Sequence, residues 1–167
     1  MLGSILRPLS LAGRDTRGAY WIAVVAAWLG IMAASILMFF AGGVWAANAP
    51  AAGAGDWVAF GIFVAAVLYA VWVMVAAAVR RLHDRGKSGW WSVPLLIVPL
   101  AVNEAINFQT RGQADLDLYQ QIAVYVTLAL GIWGFIEIGC LKGGGGANRF
   151  GPPPQPVAWL TPNASNP

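Results

Sequence analysis

The chain has 167 residues, 59% of them hydrophobic and 10% charged, with a mean hydropathy of +0.65. A soluble domain carries about 25% charged residues, and with so few it would lack the polar surface to cover itself. The net charge of +3 is spread over several short segments, which argues for orientation against a membrane and against the concentrated basic face of a nucleic-acid reader. A single cysteine, Cys140, and a single histidine, His83, exclude an internal disulfide and a Cys/His metal cluster within one chain.

A bilayer core of about 30 Å takes about 20 apolar residues as helix. No charge occurs between Gly18 and Gly55, and a first span is expected at 19–41, ended by Gly42-Gly43 and the loop that follows. Ala47-Asn48-Ala49 resembles a signal-peptidase site, but the apolar run before it is far longer than the 7–15 residues of a signal core, and Pro50 follows directly. An uncleaved helix is the expectation. The second span, 57–79, is free of charge throughout.

The third segment, 88–106, contains Pro94 and Pro99. Two arrangements compete for it: a short, proline-kinked spanning helix, which is favoured, and a re-entrant segment. Asn103, Glu104 and Asn107 mark its polar far end. Proline is tolerated in membrane helices where neighbours satisfy the freed carbonyls. The fourth span, 119–141, holds one carboxylate, Glu137, about one helical turn from its end.

Counting Lys and Arg in the loops orients the chain. With four spans and both termini cytoplasmic, Arg7, Arg14, Arg17, Arg80, Arg81, Arg85, Lys87, Lys142 and Arg149 lie inside and Arg111 outside. Three spans would put eight inside and two outside, so the four-span layout is preferred by a narrow margin. Tyr20-Trp21 and Trp90-Trp91 fall at the inner ends, Trp45, Trp57 and Tyr119 at the outer ends, where amphipathic rings favour the headgroup level. Trp28, Trp72 and Trp133 fall inside spans as packing residues. The expected organisation is a cytoplasmic segment 1–18, a four-helix membrane domain 19–141 and a Gly/Pro-rich cytoplasmic tail 142–167.

The stretch Arg80-Arg81-Leu82-His83-Asp84-Arg85-Gly86-Lys87-Ser88-Gly89-Trp90-Trp91 concentrates four Arg or Lys residues before Ser88, the lone His, an acid and two Trp in twelve residues. Arg80 and Asp84 are helical neighbours at i, i+4. Gly86 is a natural helix stop, and Ser88 or Ser92 is placed to cap the next helix. The plain reading is a cytoplasmic elbow that anchors topology; the functional one is an anion pocket, most simply for a lipid headgroup phosphate. His83 beside Asp84 reads as a structural hydrogen-bond partner.

Glu137, ionisable within a span, is a functional candidate by default; pairing with an Arg of the elbow is its simplest arrangement. The glycine run after Lys142 does not match a phosphate loop, which requires Lys after the glycines and a helix following. It reads as a flexible release from the bilayer, with Asn148-Arg149-Phe150 folding back on the elbow. No Ser/His/Asp arrangement or acid pair of recognisable spacing occurs, so no enzyme, cofactor or metal is expected.

Three motifs together carry a resemblance: Gly13-Arg14-x-x-Arg17-x-x-Tyr20-Trp21, Arg80-Arg81-Leu82-His83-Asp84-x-Gly86-x-Ser88-Gly89-Trp90-Trp91 and Gly146-x-Asn148-Arg149-Phe150-Gly151-Pro152. This set resembles the bacterial inner-membrane family known as domain of unknown function 805 (YhaH/YhaI-like). The resemblance implies a small polytopic protein of the bacterial cytoplasmic membrane and transfers no catalytic residue. The chain departs from it in an Ala/Gly-rich first outer loop, in Pro153 where Asp is expected, and in a Pro-rich tail.

The expectation is an all-α, polytopic membrane protein with a cytoplasmic-face cluster of Arg14, Arg17, Arg80, Arg81, His83, Asp84, Ser88, Trp90, Trp91, Glu137, Asn148 and Arg149. It acts as a non-enzymatic module binding anionic phospholipid headgroups, or a membrane-protein partner, through that cluster. Small residues such as Gly30 and Ala34, or Ala66 and Ala70, are spaced for helix association and allow a homo-oligomer. The alternative is a small transporter or channel subunit, which needs an oligomer because four helices with one buried carboxylate, Glu137, make a poor pathway in a monomer.

Overall fold

In the computed structural model of the protein, residues 9–46, 54–110 and 117–154 are described. The Ala47-Asn48-Ala49 site, Arg7, Arg111 and the tail beyond Pro154 lie outside them, as do parts of both expected outer loops. Helices dominate: α1 (Arg17–Ala46), α2 (Ala54–Asp84), a 3-10 turn (Gly89–Trp91), a π-helical turn (Val93–Ile97), α3 (Val98–Gln109), α4 (Leu118–Gly134) and a closing π-helical segment (Phe135–Cys140). Among the described residues no strand forms; Asn148 and Gly151 make an isolated antiparallel bridge.

Four helical stretches are long and apolar enough to cross a membrane: Arg17–Phe40, Trp57–Asp84, Gly89–Gln109 and Leu118–Cys140. Their surfaces support that reading. Leu29, Leu37, Phe39, Leu68, Leu100 and Tyr125 are all exposed, a density of outward apolar side chains that water does not tolerate on a monomer.

One boundary differs from expectation. Gly42-Gly43 does not end α1, which runs on to Ala46; two glycines cost a helix about 1 kcal/mol each, and breaking backbone hydrogen bonds in an apolar run costs more. The third stretch, with 21 residues, is shorter than the other three. Its prolines sit in the first turns of the π segment and of α3, and each lacks the N–H that a regular helical ladder would use. The helix therefore changes type at each proline and continues.

Local chemistry explains the ends. Beyond Asp84, Lys87 N–H donates to Leu82 O at 2.9 Å and Gly86 N–H to His83 O at 3.0 Å, a Schellman closure with Gly86 at φ +74°. Ser88 accepts from Trp90 N–H at the start of the 3-10 turn. At the head of α4, Asp117 accepts from Gln120 N–H at 2.8 Å while the Gln120 side chain accepts from Asp117 N–H at 3.0 Å, a reciprocal capping box.

The chain divides into two compact units. One comprises Met1–Ser10 and Trp21–Ala77; in it the Trp72 indole donates to Leu9 O at 3.0 Å, and an apolar groove of about 400 Å³ lies between Gly30–Met38 of α1 and Ala59–Ala66 of α2. The other comprises Leu11–Tyr20 and Ala78–Pro167. Its core is Ala78, Leu82, Leu95 and Ile138, with Tyr20 and Leu96 packed against it. Glycine permits two close approaches there. A Cβ at Gly134 would stand 2.8 Å from Leu95 O, and one at Gly89 would stand 2.8 Å from a Val79 methyl.

Candidate functional site

The second unit gathers the ionisable residues of three distant segments. The last turns of α2 carry Arg80, Arg81 and Asp84, all nearly or fully buried. The approach to α1 brings Arg14 and Asp15, both buried. The π-helical end of the fourth stretch brings buried Glu137. Buried charges are tolerated only when paired and hydrogen-bonded, and the pairing here is complete. Among the described residues no buried side-chain nitrogen or oxygen lacks a partner.

Asp84 is shared by two guanidinium groups. Arg14 reaches its Oδ1 from Nη2 at 2.8 Å and from Nε at 3.1 Å, and Arg81 donates to its Oδ2. Arg14 uses its other donors on the chain beyond the fourth stretch: Nη2 to Gly144 O at 2.6 Å, Nη1 to Gly146 O at 2.7 Å and to Gly151 O at 3.1 Å. A guanidinium has five N–H groups in a fixed fork, and these five bonds occupy that fork.

Glu137 repeats the pattern nearer the surface. Its Oε1 accepts from Arg85 Nε and from Lys87 Nζ, each at 3.1 Å. The carboxylate side chain is 6% exposed while those of Arg85 and Lys87 are 25% and 31% exposed. Lys87 also lies 5.2 Å from the ring centroid of Trp91 and 5.9 Å from that of Trp133. The two indoles meet edge to face at 5.8 Å. Arg80 pairs with Asp15 at 2.7 Å. Among the described ion pairs, five cations thus meet three acids.

Arginines also close the C-terminal end of the fourth stretch, where helical carbonyls run out of partners. Arg81 donates to Ile138 O at 3.0 Å and to Leu141 O, Arg17 to Cys140 O at 3.1 Å and Arg85 to Lys142 O at 2.6 Å. Positive charge is favourable at that end of the helix dipole.

The segment after Lys142 is a strap over the elbow. Gly144 N–H donates to Asp84 O at 2.9 Å, and Asn148 Nδ2 to His83 O at 2.9 Å. Asn148 Oδ1 accepts from Phe150 N–H at 2.9 Å, forming a local turn that sets Phe150 flat on His83. Those rings stack at 3.8 Å and 8°, with Arg149 4.7 Å from the Phe150 centroid. His83 Nδ1 meets Gly13 O at 3.1 Å.

Of the residues singled out in the sequence, Arg14, Arg17, Arg80, Arg81, His83, Asp84, Glu137 and Asn148 converge in this network, and Arg149 lies against Phe150. Trp91 sits over Lys87. Trp90 does not join them; the residue is 80% exposed. Ser88 caps the 3-10 turn, its hydroxyl accepting from Trp90 N–H at 3.5 Å. Arg80, a neighbour of Asp84 by helical spacing, pairs with Asp15, while Asp84 pairs with Arg14 and Arg81.

Several participants carry no sequence signal of their own: Asp15, Gly143, Gly144 and Trp133. The glycine run, read as a flexible release, instead packs against the elbow. The packing there is close enough that a Cβ at Gly143 would overlap the Asp84 carboxylate. Among the described residues, no group of three or more His, Cys, Asp and Glu side chains gathers as metal ligands.

The sequence model of a family described as "Protein of unknown function (DUF805)" matches residues 8–152. The uncharacterized protein YiiR of Escherichia coli strain K12 is 32% identical over 100 residues, covering 58% of this chain and 62% of that protein. Uncharacterized protein YiiR of Escherichia coli O157:H7 matches to the same extent. The similarity thus spans less than two thirds of the length of these relatives. No solved structure matches the chain.

Proposed function

The chain belongs to the DUF805 family of proteins of unknown function, and on that premise we propose that it is a non-enzymatic, multi-pass protein of the bacterial inner membrane that binds anionic phospholipid headgroups. In this reading both termini are cytoplasmic and the polar cluster lies at the inner headgroup level. One observation carries it: the buried ions are mutually satisfied while the excess positive charge sits at the rim. Five paired cations face three acids, and exposed Arg17 and Lys142 add to that excess. Juxtamembrane cations each contribute about 1 kcal/mol of attraction to an anionic leaflet. The buried Arg14, Arg80 and Arg81 are the framework that holds this rim, not the headgroup contacts.

The transporter reading asks more of Glu137 than its surroundings favour. A carrier carboxylate must exchange its partner, and Glu137 is gripped by two cations at 3.1 Å. Native mass spectrometry of the full chain, released from mixed vesicles, tests the lipid reading. Preferential retention of phosphatidylglycerol over phosphatidylcholine is expected, reduced in Arg17→Gln/Lys142→Gln. Equal retention of the two lipids by the unaltered protein would overturn it.

A further inference from the structure

Arg85, Lys87, Trp91 and Trp133 are arranged as a built site, and we propose that they bind the phosphate of one anionic diacyl phospholipid of the phosphodiester type. This rests on the lipid-binding reading above and gives it a location.

The first argument is charge. Arg85 and Lys87 share the single carboxylate of Glu137, so the group of three carries one net positive charge. A phosphodiester carries one negative charge and neutralises it, whereas a phosphomonoester, near two negative charges at neutral pH, would leave an excess of negative charge against Glu137. An ion triad buried throughout its extent leaves no charge within a ligand's reach, but here the acid is at the bottom and the cations face outward: 6% exposure for Glu137 against 25% and 31% for Arg85 and Lys87.

Preorganisation is the second argument. A surface lysine samples many rotamers, and ordering it on binding costs about 0.5–1.5 kcal/mol. Lys87 is already held between Glu137 at 3.1 Å and the faces of Trp91 and Trp133. Arg85 is similarly held by Glu137 and Lys142 O. A solvated charged face needs none of these restraints.

Location supplies the third. The cations stand at the end of two spanning stretches, Trp57–Asp84 and Leu118–Cys140. The paired indoles are the residue type that prefers the headgroup level, and exposed Ile132 and Ile136 flank Trp133 in sequence, offering apolar surface for acyl chains. That surface separates a lipid from a free phosphate, which shares the headgroup chemistry but has nothing to lay there.

The experiment is lipid retention by native mass spectrometry of the full chain, from vesicles of phosphatidylglycerol and phosphatidylcholine, with a thermal transition recorded for every variant. Lys87→Gln is expected to lower phosphatidylglycerol retention about fivefold, and Arg149→Gln, the same charge change elsewhere, to stay within about twofold. Trp91→Leu leaves every ion pair in place and is expected to lower retention about threefold, so the site remains testable if Lys87→Gln fails to fold. Equal effects of Lys87→Gln and Arg149→Gln, or unchanged retention in Trp91→Leu, would overturn the site and leave the lipid-binding reading standing. Displacement of the lipid by millimolar inorganic phosphate would overturn it in favour of a soluble anion. Loss of the phosphatidylglycerol preference in the unaltered protein would defeat the underlying reading itself.

Discussion

Arg14 and Asp84, 70 residues apart in the chain, are joined by two hydrogen bonds in the interior, from Nη2 at 2.8 Å and Nε at 3.1 Å to one carboxylate oxygen. The same guanidinium binds Gly144, Gly146 and Gly151 carbonyls. One side chain therefore ties the approach to α1, the end of α2 and the strap together.

Removing that side chain should release the strap. Arg14→Ala leaves Asp84 with one partner and strands the Gly144 and Gly146 carbonyls, and breaking a buried pair from one side costs about 3–5 kcal/mol. Hydrogen exchange in detergent is expected to rise at Gly144 and Asn148, whose N–H groups are bonded to Asp84 O and Gly151 O. Arg14→Lys keeps the charge without the fork and should protect them only in part. Unchanged exchange in Arg14→Ala would show that the strap holds by itself.

The glycine run should be unevenly tolerant. A Cβ at Gly143 would overlap the Asp84 carboxylate and stand 2.9 Å from Arg81 Nη1, while one at Gly145 meets nothing. Overpacking costs about 1–3 kcal/mol, so Gly143→Ala should lower the thermal midpoint and Gly145→Ala leave it unchanged. Equal midpoints for the two variants would contradict the packing described for the strap.

His83 and Phe150 should be energetically coupled. Their rings stack at 3.8 Å, and aromatic pairs contribute about 0.5–1.5 kcal/mol beyond burial. A double-mutant cycle of His83→Ala and Phe150→Ala by denaturant titration is expected to return a coupling energy of about 1 kcal/mol. Strict additivity would mean that the stack contributes nothing.

Topology is open to direct labelling. In a Cys140→Ser background, Thr110→Cys at the end of α3 should react with an impermeant maleimide added outside spheroplasts. Gly145→Cys on the strap should react only after the membrane is opened. The reverse pattern would invert the proposed orientation, and with it the contact between the polar cluster and the inner leaflet.

The amino-acid sequence alone determined what depends on local runs of residues. Four charge-poor stretches of sufficient length specify four helices, because burial in lipid rewards apolar length wherever it occurs. Gly86 specified the end of α2 for an equally local reason, the ease with which glycine takes a positive φ. The three motifs also marked most of the residues that meet in the second unit. Apart from the local Arg81–Asp84 pair, three residues apart, tertiary structure decided who pairs with whom. Arg80, four residues from Asp84, binds Asp15 instead, and Asp84 takes Arg14; Glu137 takes Arg85 and Lys87 from 52 and 50 residues away. Helical spacing says only which side chains share a face. The choice among several equivalent cations is made by the packing of separate segments, and by the missing Cβ of Gly143 that lets the strap reach the buried acid.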